Sequence, residues 1–138
     1  MYDKILVTLD ATGTDRAIIN HIRELAKIMH SKVVLLHVAE GWAARTYGSD
    51  AVSPEITSDR KYLDDVKKEL ESAGLSVEAH LAFGHPPAEI IKWIQAQHCD
   101  LVAMSTHGHR LLADILFGTT AHQVQHAVNV PVLLLRAG

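Results

Sequence analysis

The stretch that most constrains the fold is Lys32–Ala39, KVVLLHVA. Apolar residues fill both alternating positions, so an extended segment here must be covered on both faces. A strand at the solvent-facing surface of a sheet would alternate with polar residues. A central strand of a parallel sheet, with helices on each side, matches the pattern.

The rest of the chain falls into step with that strand. Residues 3–9 (DKILVTL) form a first apolar run ending at Asp10. Ala11-Thr12-Gly13 is a turn, and Thr14 or Asp15 suits the cap of the next helix. Ile18, Ile22, Leu25 and Met29 give that helix one apolar face, to about His30. Residues 40–54 (EGWAARTYGSDAVSP) lack any period, and connections this long are usually functional or mobile. A second helix is expected over 55–73, with Ile56, Leu63, Val66, Leu70 and Ala73 inward. On its solvent side Asp64 with Lys68, and Lys67 with Glu71, are one turn apart. Gly74 suits the position just past its end.

Residues 76–83 alternate, with Val77, Ala79, Leu81 and Phe83 on one face and Ser76, Glu78, His80 and Ala82 on the other. This is the signature of a half-exposed strand near a sheet edge. Gly84-His85-Pro86-Pro87 turns into a helix with proline in its first turn, reaching about His98. Residues 101–105 (LVAMS) make a fourth strand, followed by Thr106-His107-Gly108-His109-Arg110. A last helix over 111–128 buries Leu112, Ile115, Leu116, Val124 and Val128, and residues 130–135 (VPVLLL) form a fifth strand ending at Arg136.

Strictly alternating strands and helices predict one α/β domain over residues 1–138 with parallel strands and right-handed crossovers. Placing the half-exposed third strand at an edge gives a single doubly wound five-stranded sheet of order 3-2-1-4-5, with two helices on each face. Ligands of such sheets bind beyond the carboxyl ends of the strands where the order reverses. That point lies between strands one and four. It gathers Thr8, Leu9 and Asp10 from one side and Met104, Ser105, Thr106 and Gly108 from the other, with Val38 on the adjacent strand. Glycine beside hydroxyl residues, at Gly108 and again at Gly118-Thr119-Thr120, suits a phosphate held by bare backbone N–H groups near a helix N-terminus.

Composition narrows the function. A formal net charge of -3 carries no electrostatic footprint for nucleic acid. No apolar stretch is long enough to cross a bilayer, and there is no signal-peptide layout. The lone cysteine, Cys99, precludes an intramolecular disulfide. These features predict a cytoplasmic protein without nucleic-acid or membrane partners. Ten histidines raise the question of metal. His122 and His126 lie four apart on a helix, but the sequence places no third ligand, so both are expected at the surface. His37, on a buried strand, is expected to be a hydrogen-bonded core residue, and Cys99 a buried small hydrophobe. The fifth strand would be an apolar sheet edge, a hazard that pairing with a second copy resolves.

At these residues the chain resembles the universal stress protein family. The resemblance spans KILVTLD with Asp10, LLHV in the second strand, CDLVAMSTHGHR, the nine residues between Gly108 and Gly118, Thr119, and the closing VPVLLLR. Nucleotide-binding members carry glycine, two residues, glycine, nine residues, glycine, then serine or threonine. Here Gly108, Gly118 and Thr119 match, and Ser105 replaces the first glycine.

The resemblance implies that Asp10 contacts the ribose or base and that Leu9 and Val38 line the adenine. It implies that Met104, Ser105 and Gly108 hold the ribose and phosphates, and Gly118, Thr119 and Thr120 the outer phosphates. Thr8, Thr106, His109 and Arg110 complete the candidate set. The implied ligand is ATP or AMP, with Mg²⁺ accompanying a triphosphate. The implied assembly is a homodimer through the last strand, Val130 to Arg136, that presents its ligand state to protein partners. The crevice lacks a positioned general base and the lysine of phosphate-loop enzymes, so a binding protein is expected rather than a dedicated catalyst. The alternative within the fold is a nucleotide-free interaction module, marked by Ser105. A flavin carrier is disfavoured because the Thr12-Gly13-Thr14 turn is short and aromatics are few. A phospho-accepting receiver is disfavoured because the third strand ends in Phe83-Gly84. Trp42, Arg45 and Tyr47 in the long connection suit either a lid or a partner contact, or simply a locally packed loop.

Overall fold

A computed structural model describes residues 1–39, 54–106 and 119–136. Strand β1 is Lys4–Thr8, helix α1 is Arg16–Met29 and strand β2 is Lys32–Ala39. Helix α2 is Pro54–Ser72, β3 is Val77–Phe83 and α3 is Pro86–Gln97. Strand β4 is Leu101–Thr106, α4 is Thr119–Ala127 and β5 is Val132–Arg136. A single 3₁₀ turn, Gly13–Asp15, leads into α1.

The sheet has five strands in the order β3-β2-β1-β4-β5, as expected, and every pairing is parallel. Two apolar layers sit on its faces. On one, Ile5, Val7 and Leu9 of the first strand segment and Val33 and Leu35 of β2 meet Ile18 and Ile22 of α1 and Leu63, Val66 and Leu70 of α2. On the other, Leu6, Val34, Leu36, Val102 and Met104 meet Ile90 and Ile94 of α3 and Ala121 and Val124 of α4. β2 is therefore buried on both sides, which is why its sequence lacks polar alternation. Burial of a Val or Leu side chain contributes about 1.5–3 kcal/mol, so these two layers are the main stabilising term.

The edge strand β3 departs from clean alternation. Ala82, on its polar face, is 5% exposed, because it packs into the layer of Ile90 and Ile94. His80, on the same face, stacks on Trp93 of α3 with ring centroids 4.4 Å apart. β5 begins at Val132, not Val130, after Pro131. Proline has no N–H to donate, but its carbonyl accepts from the Val102 N–H at 3.1 Å.

On α2, Lys68 pairs with Asp64 at 2.9 Å as the spacing suggested, and Lys61 with Asp65 at 2.8 Å takes the place of a Lys67–Glu71 pair. Gly74 follows the helix at φ +93°, a conformation that costs glycine little. α1 and α2 are joined by a two-point bond from the Arg16 guanidinium to Glu69, at 2.7 and 3.1 Å. That bond holds the Glu69 carboxyl below its ordinary value. At the amino ends of the strands, the Asp100 carboxylate accepts from the N–H groups of Asp3 and Lys4, at 2.8 and 3.0 Å. This staples β1 to β4. Cys99 is buried, and burial pushes its thiol up to about 11.

Candidate functional site

The order reverses between β1 and β4, and there the sheet parts. The β1–β4 ladder ends at Val7↔Ala103. β1 continues with β2 to Thr8↔Leu36, and the Leu9 N–H still reaches the Leu36 carbonyl at 2.9 Å. β4 continues with β5 to Thr106↔Arg136. Each strand thus follows its outer neighbour, leaving a crevice between their carboxyl ends.

The predicted residues divide across this crevice. Leu9, Met104 and Thr106 are buried, Thr8, Val38 and Ser105 half-buried, and Asp10 exposed. The Ser105 hydroxyl oxygen is buried and has no hydrogen-bond partner among the described residues. An unmet buried hydroxyl costs about 1–3 kcal/mol, so it is an atom suited to an incoming acceptor or donor. Thr119 opens α4 and Thr120 follows it, half-buried. Gly108, His109, Arg110 and Gly118, together with His107, lie outside the described residues, as do Trp42, Arg45 and Tyr47 and the expected inward residues Leu112, Ile115 and Leu116.

The turn that carries Asp10 is built by Asp15, a residue whose position before α1 suits a helix cap. Asp15 is 0% exposed. Its carboxylate accepts from the Asp10 N–H at 3.0 and 3.1 Å and from the Ala11 N–H at 2.9 Å. It makes no side-chain cap to α1. Thr12 instead caps the preceding 3₁₀ turn, its hydroxyl accepting from the Thr14 N–H. Ala11 sits at φ +62°, a left-handed conformation costing a non-glycine residue about 1 kcal/mol. The bond to Asp15 holds it there. Tyr62 of α2 donates its hydroxyl to Asp15 Oδ2 at 2.8 Å. Burial, and then that bond to a carboxylate, push the Tyr62 phenol well above its ordinary value.

A second support reaches the same peptide from β2. His37 Nδ1 lies 2.8 Å from the Leu9 carbonyl, and His37 Nε2 lies 3.2 Å from Asp59 Oδ2 of α2. His37 is thus hydrogen-bonded as expected, but half-buried rather than a core residue, and Asp59 is a partner that strand position alone does not reveal. The signal was present. Inward positions of α2 run Ile56, Leu63, Val66, Leu70, and Asp59 fills the gap in that three-and-four spacing. A carboxylate in an inward slot requires a partner.

His122 and His126 are exposed, with their rings edge to face at 4.5 Å. No cluster of three or more metal-ligating side chains occurs among the described residues. No helix among them is long and apolar enough to cross a membrane.

The sequence pattern of the "Universal stress protein family" matches residues 1–136. The chain belongs to the universal stress protein family. Among its relatives is universal stress protein MJ0577 of Methanocaldococcus jannaschii, 26% identical over 155 residues, with 99% of this chain and 96% of the relative aligned. The solved MJ0577 structure superposes with a TM-score of 0.84 at 27% identity, covering 100% of this chain and 98% of that one. Two more distant universal stress proteins share the fold. One, solved in complex with cAMP, has a TM-score of 0.77 at 15% identity, covering 99% of this chain and 98% of that one. The other, from Archaeoglobus fulgidus and solved in complex with dAMP, has a TM-score of 0.71 at 20% identity, covering 96% and 97%.

Proposed function

We propose that this universal stress protein binds an adenine nucleotide in the crevice between β1 and β4 and acts as a ligand-gated module rather than a dedicated catalyst. The observation that carries the reading is the buried Ser105 hydroxyl at the parting of the two strands, which has no hydrogen-bond partner among the described residues. The fold relatives in complex with cAMP and dAMP support it. In this reading Asp10 takes the ribose or base, and Leu9 and Val38 flank the adenine. Thr8, Met104, Ser105, Thr106 and Gly108 surround the ribose and inner phosphates. His109, Arg110, Gly118, Thr119 and Thr120 receive the outer phosphates of ATP, or the single phosphate of AMP lies nearer Ser105. Mg²⁺ accompanies a triphosphate and is ligated largely by its oxygens.

The module acts as a cytoplasmic homodimer, paired edge to edge through β5. β5 is the last strand of the sheet, and Val132, Leu133, Leu134 and Leu135 are only half-buried. Pairing with a second copy satisfies that edge. Ending the chain at Val130 is expected to give a monomer or an aggregate by sedimentation; a soluble dimer rules out this interface.

A second reading, a nucleotide-free interaction module, is favoured by Ser105 standing where the binding signature has its first glycine. Acid extraction of the purified protein followed by nucleotide chromatography separates the two. A released adenine nucleotide, or a thermal shift with millimolar ATP and Mg²⁺, is expected. An empty extract with no shift removes the first reading.

A further inference from the structure

We propose that protonation of His37 regulates the nucleotide site by closing a clamp that α2 places on the Leu9–Asp10 peptide; the inference rests on the nucleotide reading above. The clamp has two arms. Through Tyr62 and Asp15, α2 holds the N–H end of that peptide. Through Asp59 and His37, it holds the carbonyl end. Asp10, the residue assigned to the ribose or base in the nucleotide reading, contributes the N–H of this peptide.

The His37 arm has a proton requirement built into its geometry. A carbonyl oxygen only accepts, and so does an ionised carboxylate. Both ring nitrogens of His37 face such atoms, at 2.8 and 3.2 Å. A neutral imidazole has one N–H. Spent on the Leu9 carbonyl, it leaves a lone pair aimed at Asp59. Only the imidazolium donates to both. The His37 and Asp59 side chains are each 14% exposed, so water is a poor substitute. Whichever nitrogen keeps the single N–H of the neutral ring, one of the two contacts loses its donor, and the link from α2 through His37 to the Leu9 carbonyl is broken.

The surrounding charges fit this assignment. Asp59 faces the ring from α2 and the Leu9 carbonyl faces it from β1. The register partner on β3 is the apolar Leu81. Asp15 and Tyr62 lie on the N–H side of the peptide, and the Asp10 charge acts on the Tyr62 phenol. Arg60, the neighbouring cation of α2, is placed over the Phe83 ring at 5.8 Å from its centroid. The sign follows directly: nucleotide binds the closed clamp, so affinity falls as pH rises and His37 loses its proton.

The test is calorimetric titration of the full chain with adenosine and with Mg-ATP between about pH 6 and about pH 8, where histidine titrates. Wild type is compared with Asp59→Asn. An asparagine amide can donate to the neutral ring nitrogen, so the variant keeps the clamp closed without the proton. Wild type should lose about fivefold or more in affinity across the range, a typical coupling between linked sites. Asp59→Asn should lose less than about twofold, within uniform binding. Parallel profiles for the two proteins overturn the proposal. If neither ligand binds at any pH, the nucleotide reading fails, and the clamp is decided by NMR of the wild-type ring. Two protonated ring nitrogens at about pH 6, with the Asp10 amide losing exchange protection as one deprotonates, support it. A neutral ring at that pH overturns it.

Discussion

Asp59 and Tyr62, three residues apart on α2, act on opposite ends of one peptide bond. Asp59 reaches the Leu9 carbonyl through His37, and Tyr62 reaches the Asp10 N–H through Asp15. Residues at this spacing share a helix face. One helix face thereby sets the geometry of the turn from which Asp10 projects.

The Asp15 arm predicts a specific loss. Asp15→Ala strands the Asp10 and Ala11 N–H groups and the Tyr62 hydroxyl, and should destabilise by about 3 kcal/mol. Tyr62→Phe removes one bond to a buried carboxylate and should cost about 1.5 kcal/mol. Urea unfolding of the double variant should show less than the sum, because the two residues share the interaction. Full additivity would mean that the Tyr62–Asp15 bond contributes nothing.

Ala11 carries the local backbone strain of the same turn, at φ +62°. Ala11→Gly should relieve about 0.5–1 kcal/mol, the left-handed penalty less glycine's greater unfolded-state freedom. A raised urea midpoint with unchanged slope is the expected reading. A lowered midpoint would show that the alanine methyl's packing outweighs the strain.

Ser105→Ala should separate folding from binding. Removing a buried hydroxyl that has no partner among the described residues should leave the ligand-free protein as stable as wild type, or more stable by about 1 kcal/mol. Nucleotide affinity should fall by about tenfold, the loss of one hydrogen bond to a charged group. Unchanged affinity would place the phosphates away from Ser105.

Acid should act through Asp100. Burial alone would raise its carboxyl, but the N–H groups of Lys4 and Asp3 outweigh burial and hold it below the ordinary value. A carboxyl depressed by folding contributes stability above its unfolded value, and that contribution disappears as pH falls through the folded one. Asp100→Asn should therefore be less stable than wild type at neutral pH, with the gap narrowing below about pH 4. A gap that stays constant with pH would show that the staple does not depend on charge.

Legibility in the sequence followed the reach of each physical signal. The doubly apolar run 32–39 and the alternation of 76–83 report burial, and burial fixes which strand is central and which is an edge. From these the order 3-2-1-4-5 and the switch point follow. The candidate residues on β1, β2 and β4 could then be assigned to one crevice, because a strand's end is a position in the sequence. Asp59 was legible only as an inconsistency, a carboxylate in an inward slot of α2.

What tertiary structure decided is who meets whom at the ends of the elements. Asp15 reads as a cap because aspartate before a helix usually accepts from that helix's own N–H groups. Here the chain turns back through a left-handed Ala11, and the N–H groups of Asp10 and Ala11 come nearer. Hydrogen bonding is short-ranged and directional, so such pairings have no periodicity for a sequence to display. The sequence by itself determined a parallel five-stranded sheet and the point at which it opens. Only the folded chain brought His37, Asp59, Asp15 and Tyr62, from three separate segments, onto the one peptide beside that opening.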